Sequence, residues 1–376
     1  MYLTRRQFIK SALAFTAVML GAGLIGKKSR FGKSFASDLG YHKEALHYRK
    51  IDKNTVACLL CPRGCILKNG QRSFCRVREA KDGKLYTLVY DLACSVHVDP
   101  IEKKPIYHML PGSKSFSIAT AGCNLRCKFC QNWQISQEAP EGTRNMYLPC
   151  AEIVKQAKSH GCRSIAYTYS EPTVFYEYML DTARIARAQA VKNIYVTGGF
   201  ISPRPLEELC EVIDAANIDL KGFSDKYLRE ICAESLEPLL EAIKITKKKG
   251  VWVELTNLIV PTLNDDPRMI RDMCRWIKEN LGADTPLHFS RFWPIYKLKN
   301  LPPTPLATLR RARDIAEGEG LNFVYIGNVP EEAANDTRCP QCKKILIHRL
   351  GFSVLKNHII DSKCKFCGAK IAGIWK

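Results

Sequence analysis

The chain has 376 residues, of which 46% are hydrophobic and 25% charged, and a formal net charge of +20. That balance excludes a disordered chain, and the length leaves room for one large domain with small appendages. Eleven of the 17 cysteines fall in three clusters with two- and three-residue gaps, which speaks for metal sites and against a disulfide framework, and the other six are scattered singles. Charge is uneven: residues 1–53 carry +8 and residues 337–376 another +8, leaving +4 for the middle. Basic ends suit an anionic membrane, an acidic electron donor or nucleic acid, and equally plain solvated tails.

Residues 1–40 read as an address. Thr4-Arg5-Arg6-Gln7-Phe8 precedes an uncharged apolar run from Ser11 to Gly26. The run is shorter than the ~20 residues of a bilayer-spanning helix and suits the apolar core of a signal peptide. The arginine pair resembles a twin-arginine (Tat) signal, with Ser34-Phe35-Ala36 as a cleavage candidate. A working leader implies a periplasmic or membrane-anchored protein whose N-terminus contacts the membrane; a silent one implies the cytoplasm.

Residues 41–110 form a Cys-rich segment with Cys58, Cys61, Cys65 and Cys75. Four thiolates here fit either zinc or a second iron–sulfur cluster, and the spacing does not decide between them.

Residues 111–335 alternate short apolar strands with helical stretches. Predicted strands are Ser115–Ala121, Ser164–Ser170, Asn193–Thr197, Asn217–Lys221, Val251–Ile259, Leu287–Phe292 and Asn322–Ile326, with helical patterns such as Ala151–His160, Val174–Ala190 and Pro238–Lys249 between them. This rhythm predicts an α/β fold with a parallel sheet, too few units for a closed eight-fold barrel, and hence a partial (β/α) barrel of six strands. Chemistry in such a fold gathers at the C-terminal strand ends. Directly after the first strand come Cys123, Cys127 and Cys130, three thiolates in one tight loop. A cubane [4Fe–4S] cluster takes four ligands, so three leave one iron open for chemistry. At the other strand ends, Ser170 and Glu171 can hydrogen-bond an ammonium group. Thr197 and Gly199 lie where backbone can approach a cofactor closely. Asp219 and Lys221 share a strand face, and the lysine can pair with a carboxylate. His288, with Arg291, ends the sixth strand.

Residues 336–376 carry Cys339, Cys342, Cys364 and Cys367, two Cys-x-x-Cys knuckles of a zinc ribbon. So short a tail buries little core, and a metal worth ~10–16 kcal/mol would fold it.

At the Cys123–Cys130 loop the chain resembles the radical S-adenosylmethionine (SAM) superfamily. More narrowly, it is similar to the radical SAM enzyme of the AmmeMemoRadiSam system, a relative of the pyruvate formate-lyase activating enzymes. The similarity rests on Cys58–Cys75, on Asp99-Pro100-Ile101-Glu102-Lys103-Lys104-Pro105, on the loop with Gln131-Asn132-Trp133, on Tyr169-Ser170-Glu171-Pro172, on His288–Phe292 and on the final Gly373-Ile374-Trp375. It implies a [4Fe–4S] cluster whose open iron binds SAM, reductive SAM cleavage, and hydrogen abstraction from a partner glycine or a small molecule. It also implies a low-potential donor of the flavodoxin or ferredoxin class and Memo-like and AMMECR-like partners. Two weaker readings are an RNA-modifying or RNA-binding metalloprotein and a multi-cluster electron carrier. With Phe352, Phe366 and Trp375 as its only stacking candidates, the ribbon gives no reason to expect a nucleic-acid partner.

Overall fold

The structure, a computed structural model, describes residues 43–329 and 334–376; the predicted leader lies outside them. Its centre is a mixed sheet of eight strands: β1 (Ser95–Pro100), β2 (Lys114–Ala119), β3 (Ser164–Tyr167), β4 (Lys192–Thr197), β5 (Ala215–Asp219), β6 (Trp252–Ile259), β7 (Leu287–Arg291) and β8 (Val324–Gly327). Neighbours in the sheet follow chain order from β1 to β8. Strands β2 to β8 are parallel, and β1 runs antiparallel to β2. The seven predicted strands are the parallel strands β2 to β8, one more than the six of the expected barrel, and β1 adds an antiparallel strand; among the described residues β1 and β8 form the two edges. Edge strand β1 escapes detection because His97 and Asp99 alternate with its valines, and an edge strand does not need an apolar run.

Helices α1 (Cys150–Ser159), α2 (Tyr176–Ala188), α3 (Pro203–Cys210), α4 (Leu236–Lys248), α5 (Pro267–Leu281) and α6 (Leu306–Gly318) cross between the strands. Local chemistry sets their limits. In α5 the Asp266 carboxylate caps the Arg268 and Met269 N–H groups and Pro267 opens the first turn. Its Ile270, Met273, Cys274, Ile277 and Leu281 recur at helical spacing and are buried, and Gly282 ends the helix at φ 93°.

The two faces of the sheet separate by strand alternation. Ile165, Tyr167 and Tyr195 pack with the helices, whereas Ala166, Ile194 and Val196 pack with Ile101, Ile106, Met109 and Leu110 on the other face. Segment 101–110 thus covers the face of the sheet opposite the helices, and the chain end joins it through the Met109–Ile374 bridge. The Cys-rich N-terminal segment is a set of short antiparallel strands, tied to α2 by a fully buried Arg78–Glu177 pair at 2.6 Å. The tail is a three-stranded antiparallel sheet (Thr337–Arg338, Ile345–Leu350, Ser353–Asn357) followed by a small hairpin. Among the described residues, no helix is long and apolar enough to cross a membrane.

Candidate active site

The loop after β2 is held in shape by the rest of the fold. Its Arg126 and Lys128 N–H groups donate to Cys232 O (2.8 Å) and Ile231 O (2.9 Å), and Asn124 Nδ2 donates to Phe200 O at 2.7 Å. The Leu125 N–H donates to the Cys123 sulfur at 3.2 Å, a bond suited to a thiolate. Gly122 sits at φ +91°, and a Cβ there would lie 2.6 Å from Cys75 O, so the loop can pass only as glycine. Cys123, Cys127 and Cys130 all line one cavity of about 640 Å³ at the C-terminal ends of the strands.

Six of the seven residues singled out for a cofactor also line it: Ser170, Glu171, Thr197, Asp219, Lys221 and His288. Gly199 does not. Gly198 forms the wall, and Gly199, at φ +76°, backs it by donating its N–H to Thr197 Oγ1 (2.9 Å). The Glu171 carboxylate is heavily engaged. Oε1 accepts from Thr173 N (3.1 Å), Thr173 Oγ1 (2.7 Å) and Thr197 Oγ1 (2.6 Å), and Oε2 accepts from Gly198 N (2.7 Å). Glu171 therefore clips the end of β3 to the end of β4 and keeps only Oε2 with acceptor capacity to spare.

Lys221 is buried, 3.4 Å from Asp219 Oδ2, and its Nζ makes no hydrogen bond, nor does Ser170 Oγ. Burial opposes the Lys221 charge, but Asp219, Glu234 and the thiols of Cys127 and Cys232 outweigh it and hold the pKa well above the ordinary lysine value. A buried ammonium with a carboxylate at ion-pair distance but no hydrogen bond of its own keeps its donors available to a ligand anion in the cavity.

The opposite wall was less visible in the sequence. His288 Nε2 lies 2.7 Å from Glu254 Oε2, and that carboxylate also accepts the backbone N–H groups of Tyr107 and His108. Lys104 reaches the cavity with Nζ 2.5 Å from Asp99 Oδ2, and the Tyr169 hydroxyl donates to the same carboxylate. Burial pulls the Lys104 ammonium down to about 8 against the pull of Asp99, whose carboxyl is held below its usual range by Lys104, Tyr169 and Lys103 despite its own burial. The tail contributes Phe352 to the cavity rim and buries Arg349 against Glu102 (3.7 Å) and Tyr107 O (2.8 Å). Sequence reasoning quoted Asp99 to Pro105 without giving it a role and missed Glu234 and Cys232. Glu234 is buried with both oxygens lacking a hydrogen bond, and Cys232 is buried beside the loop, its carbonyl accepting the Arg126 N–H. The dense charge run from Asp99 to Lys104 was the available signal; no motif marks the other two.

Residues 117–277 match the radical SAM superfamily. An uncharacterized protein of Methanocaldococcus jannaschii is 47% identical over 331 residues, spanning 88% of this chain and 98% of that one. The chain carries a radical SAM domain. Activating enzymes are more distant relatives. A glycyl-radical enzyme activating enzyme of M. jannaschii is 28% identical over 45% of this chain and 70% of its own length. The Escherichia coli pyruvate formate-lyase 1-activating enzyme is 24% identical over 54% and 89%. A radical SAM methyltransferase from Sphaerobacter thermophilus superposes with a TM-score of 0.48 at 12% identity, over 77% of this chain and 78% of that one.

The superfamily implies a [4Fe–4S] cluster and SAM, and the site fits both. Three thiols line a cavity far larger than an ion, and the Lys221 ammonium and Ser170 hydroxyl line it too without a hydrogen bond to protein. The tail cysteines behave differently. Their four sulfurs lie within 4.8 Å of one another, with Cys339–Cys367 at 3.6 Å and Cys342–Cys364 at 3.7 Å. Four thiolates around one tetrahedral ion with bonds of about 2.3 Å would stand about 3.8 Å apart.

Proposed function

We propose that this protein binds a [4Fe–4S] cluster through Cys123, Cys127 and Cys130, cleaves SAM reductively and abstracts hydrogen from a partner glycine or a small molecule, as an activating enzyme does. The observation that carries this reading is the convergence of three thiols with a buried lysine and serine whose polar side-chain atoms make no hydrogen bond, all in one cavity. The cluster, when bound, supplies the single electron that splits SAM into methionine and a 5′-deoxyadenosyl radical. Lys221 meets the SAM carboxylate and is steadied by Asp219, while Ser170 and Glu171 Oε2 receive the SAM ammonium. Thr197 and Gly199 fix Glu171 and the Gly198 wall. His288, held by Glu254, and the Asp99–Lys104–Tyr169 set face the rest of the cavity, where the hydrogen donor sits. Phe352 at the rim narrows access of water. The electron comes from a low-potential donor of the flavodoxin or ferredoxin class, and the resemblance in sequence nominates Memo-like and AMMECR-like proteins as partners. The tail cysteines hold a structural Zn²⁺.

Anaerobic reconstitution with iron and sulfide, followed by reduction in the presence of SAM, tests the reading. It predicts 5′-deoxyadenosine and methionine in equal amounts, faster when the hydrogen donor is present. A reduced, cluster-loaded protein that leaves SAM intact would refute it.

A further inference from the structure

The proposed reaction leaves one cysteine group unused. Cys58, Cys61, Cys65 and Cys75 line a single small cavity beside the active-site loop. The backbone shapes it as a metal knuckle does: Cys58 N–H donates to Cys65 O (2.9 Å), Gly64 N–H to Cys61 O (3.2 Å), and Gly64 turns at φ +55°. Only sulfur offers itself as a metal ligand there, because no carboxylate or imidazole lines the space.

The spacing separates a lone ion from a cluster. Among the described residues, the tail cysteines are the only group of three or more metal-ligating side chains drawn within 4.8 Å of one another. The four N-terminal thiols stand wider, as do the three of the active-site loop. Their cavity admits the centre of a water-sized sphere over about 20 Å³, a space roughly 6 Å across once the ~1.4 Å sphere radius is added. Zinc bonded to four thiolates at about 2.3 Å leaves no such space. The charge agrees. A cubane with four thiolate ligands is an anion, and Arg63 and Arg78 line this cavity. Arg78 is fully buried, and although Nη2 donates to Glu177 and Nη1 to Leu46 O, its Nε–H has no hydrogen-bond partner. A buried donor left free beside four thiols is matched by sulfur acceptors.

We propose that Cys58, Cys61, Cys65 and Cys75 bind a second [4Fe–4S] cluster. With all four irons ligated by protein it has no open position for SAM, so its chemistry is transfer of one electron without making or breaking a bond. It lies against the loop: Cys75 O occupies the space where a Gly122 Cβ would stand, Asn124 and Thr173 line the second cavity, and Thr173 also holds Glu171. The electron of a flavodoxin- or ferredoxin-class donor would pass through this cluster to the one beside SAM, a role that rests on the proposed function, whereas the site itself does not.

The test is reconstitution of the full chain and two variants, Cys123→Ser/Cys127→Ser/Cys130→Ser and Cys61→Ser/Cys75→Ser, with iron and zinc counted per chain and EPR recorded after reduction. The expected result is about eight irons in the natural protein and about four in each variant. The loop variant should keep a cubane signal of its own, and the natural protein should show broadening from two neighbouring spins. If Cys61→Ser/Cys75→Ser does not fold, the iron of the loop variant decides alone. Zinc in place of iron in the loop variant, or no metal there beyond that of the tail, would overturn the proposal. Four irons retained in the loop variant together with uncleaved SAM in the natural protein would sink the catalytic reading and leave the second cluster standing.

Discussion

The tail and the active-site loop both collect thiols, but they are held in opposite ways. Tail sulfurs approach to 3.6 and 3.7 Å, close enough to share the one small metal centre proposed for them. Loop sulfurs are kept apart by partners elsewhere in the chain: Cys232, Ile231, Phe200 and the Cys75 carbonyl over Gly122. A structural centre is organised by its metal, whereas a reactive one is organised by the fold, which keeps one side of the cavity open. Substitutions at the two places should therefore fail in different ways.

The largest effect is expected at the loop. Cys127→Ala should lower 5′-deoxyadenosine formation by roughly a thousandfold or more, since the cluster carries the chemistry. The tail should keep one zinc per chain by elemental analysis, and loss of that zinc would erase the contrast. Cys364→Ala is the mirror case. Removing a ligand from a centre worth on the order of 10 kcal/mol should unfold the tail, seen as rapid proteolysis after residue 336, while residues 43–329 stay protected. SAM cleavage should fall less, because only Phe352 of the rim and the Arg349 anchor belong to the tail.

Glu171→Gln sharpens the contrast within the cavity. An amide cannot accept all four hydrogen bonds that the carboxylate does, and the expected losses are about 10–100-fold in SAM cleavage and about 1–3 kcal/mol in stability. Parallel kinetics with varied SAM and thermal unfolding read the two. An unchanged KM for SAM would place the ammonium elsewhere.

The seam between tail and sheet gives an effect on stability alone, set by pH. Burial lowers the His108 pKa to about 4 from an unfolded value near 6.5. Its ring lies 2.8 Å from Ala372 O and 2.6 Å from the Tyr325 hydroxyl. The folded state therefore resists protonation, and stability present above pH 6.5 is lost as pH falls toward 4, by about 3 kcal/mol in full. Denaturant melts at several pH values should show that slope, flattened in His108→Gln; an equal slope in both would show that His108 is not the group.

Much of this was legible in the sequence, for a physical reason. Parallel strands buried on both faces carry continuous apolar runs, so Ile165-Ala166-Tyr167 and Ile194-Tyr195-Val196 stood out, and the cysteine gaps marked all three thiol groups. Strand β1 was hidden because it is an edge. Lys104, Asp99 and Glu234 were hidden because charged residues ordinarily lie on the surface, and only tertiary packing reveals their burial. Gly198 and Gly199 were separated only by the packing of Leu239 and Ile218 behind the second of them.

The most direct test of the central claim, an iron left free by three cysteines and reserved for SAM, is EPR of the reduced protein with and without SAM carrying ¹⁷O in its carboxylate and ¹⁵N in its amino group. The account predicts a shifted cluster signal with hyperfine coupling to both labels. A signal indifferent to SAM, or an iron already ligated by a fourth side chain such as Cys232, would contradict it.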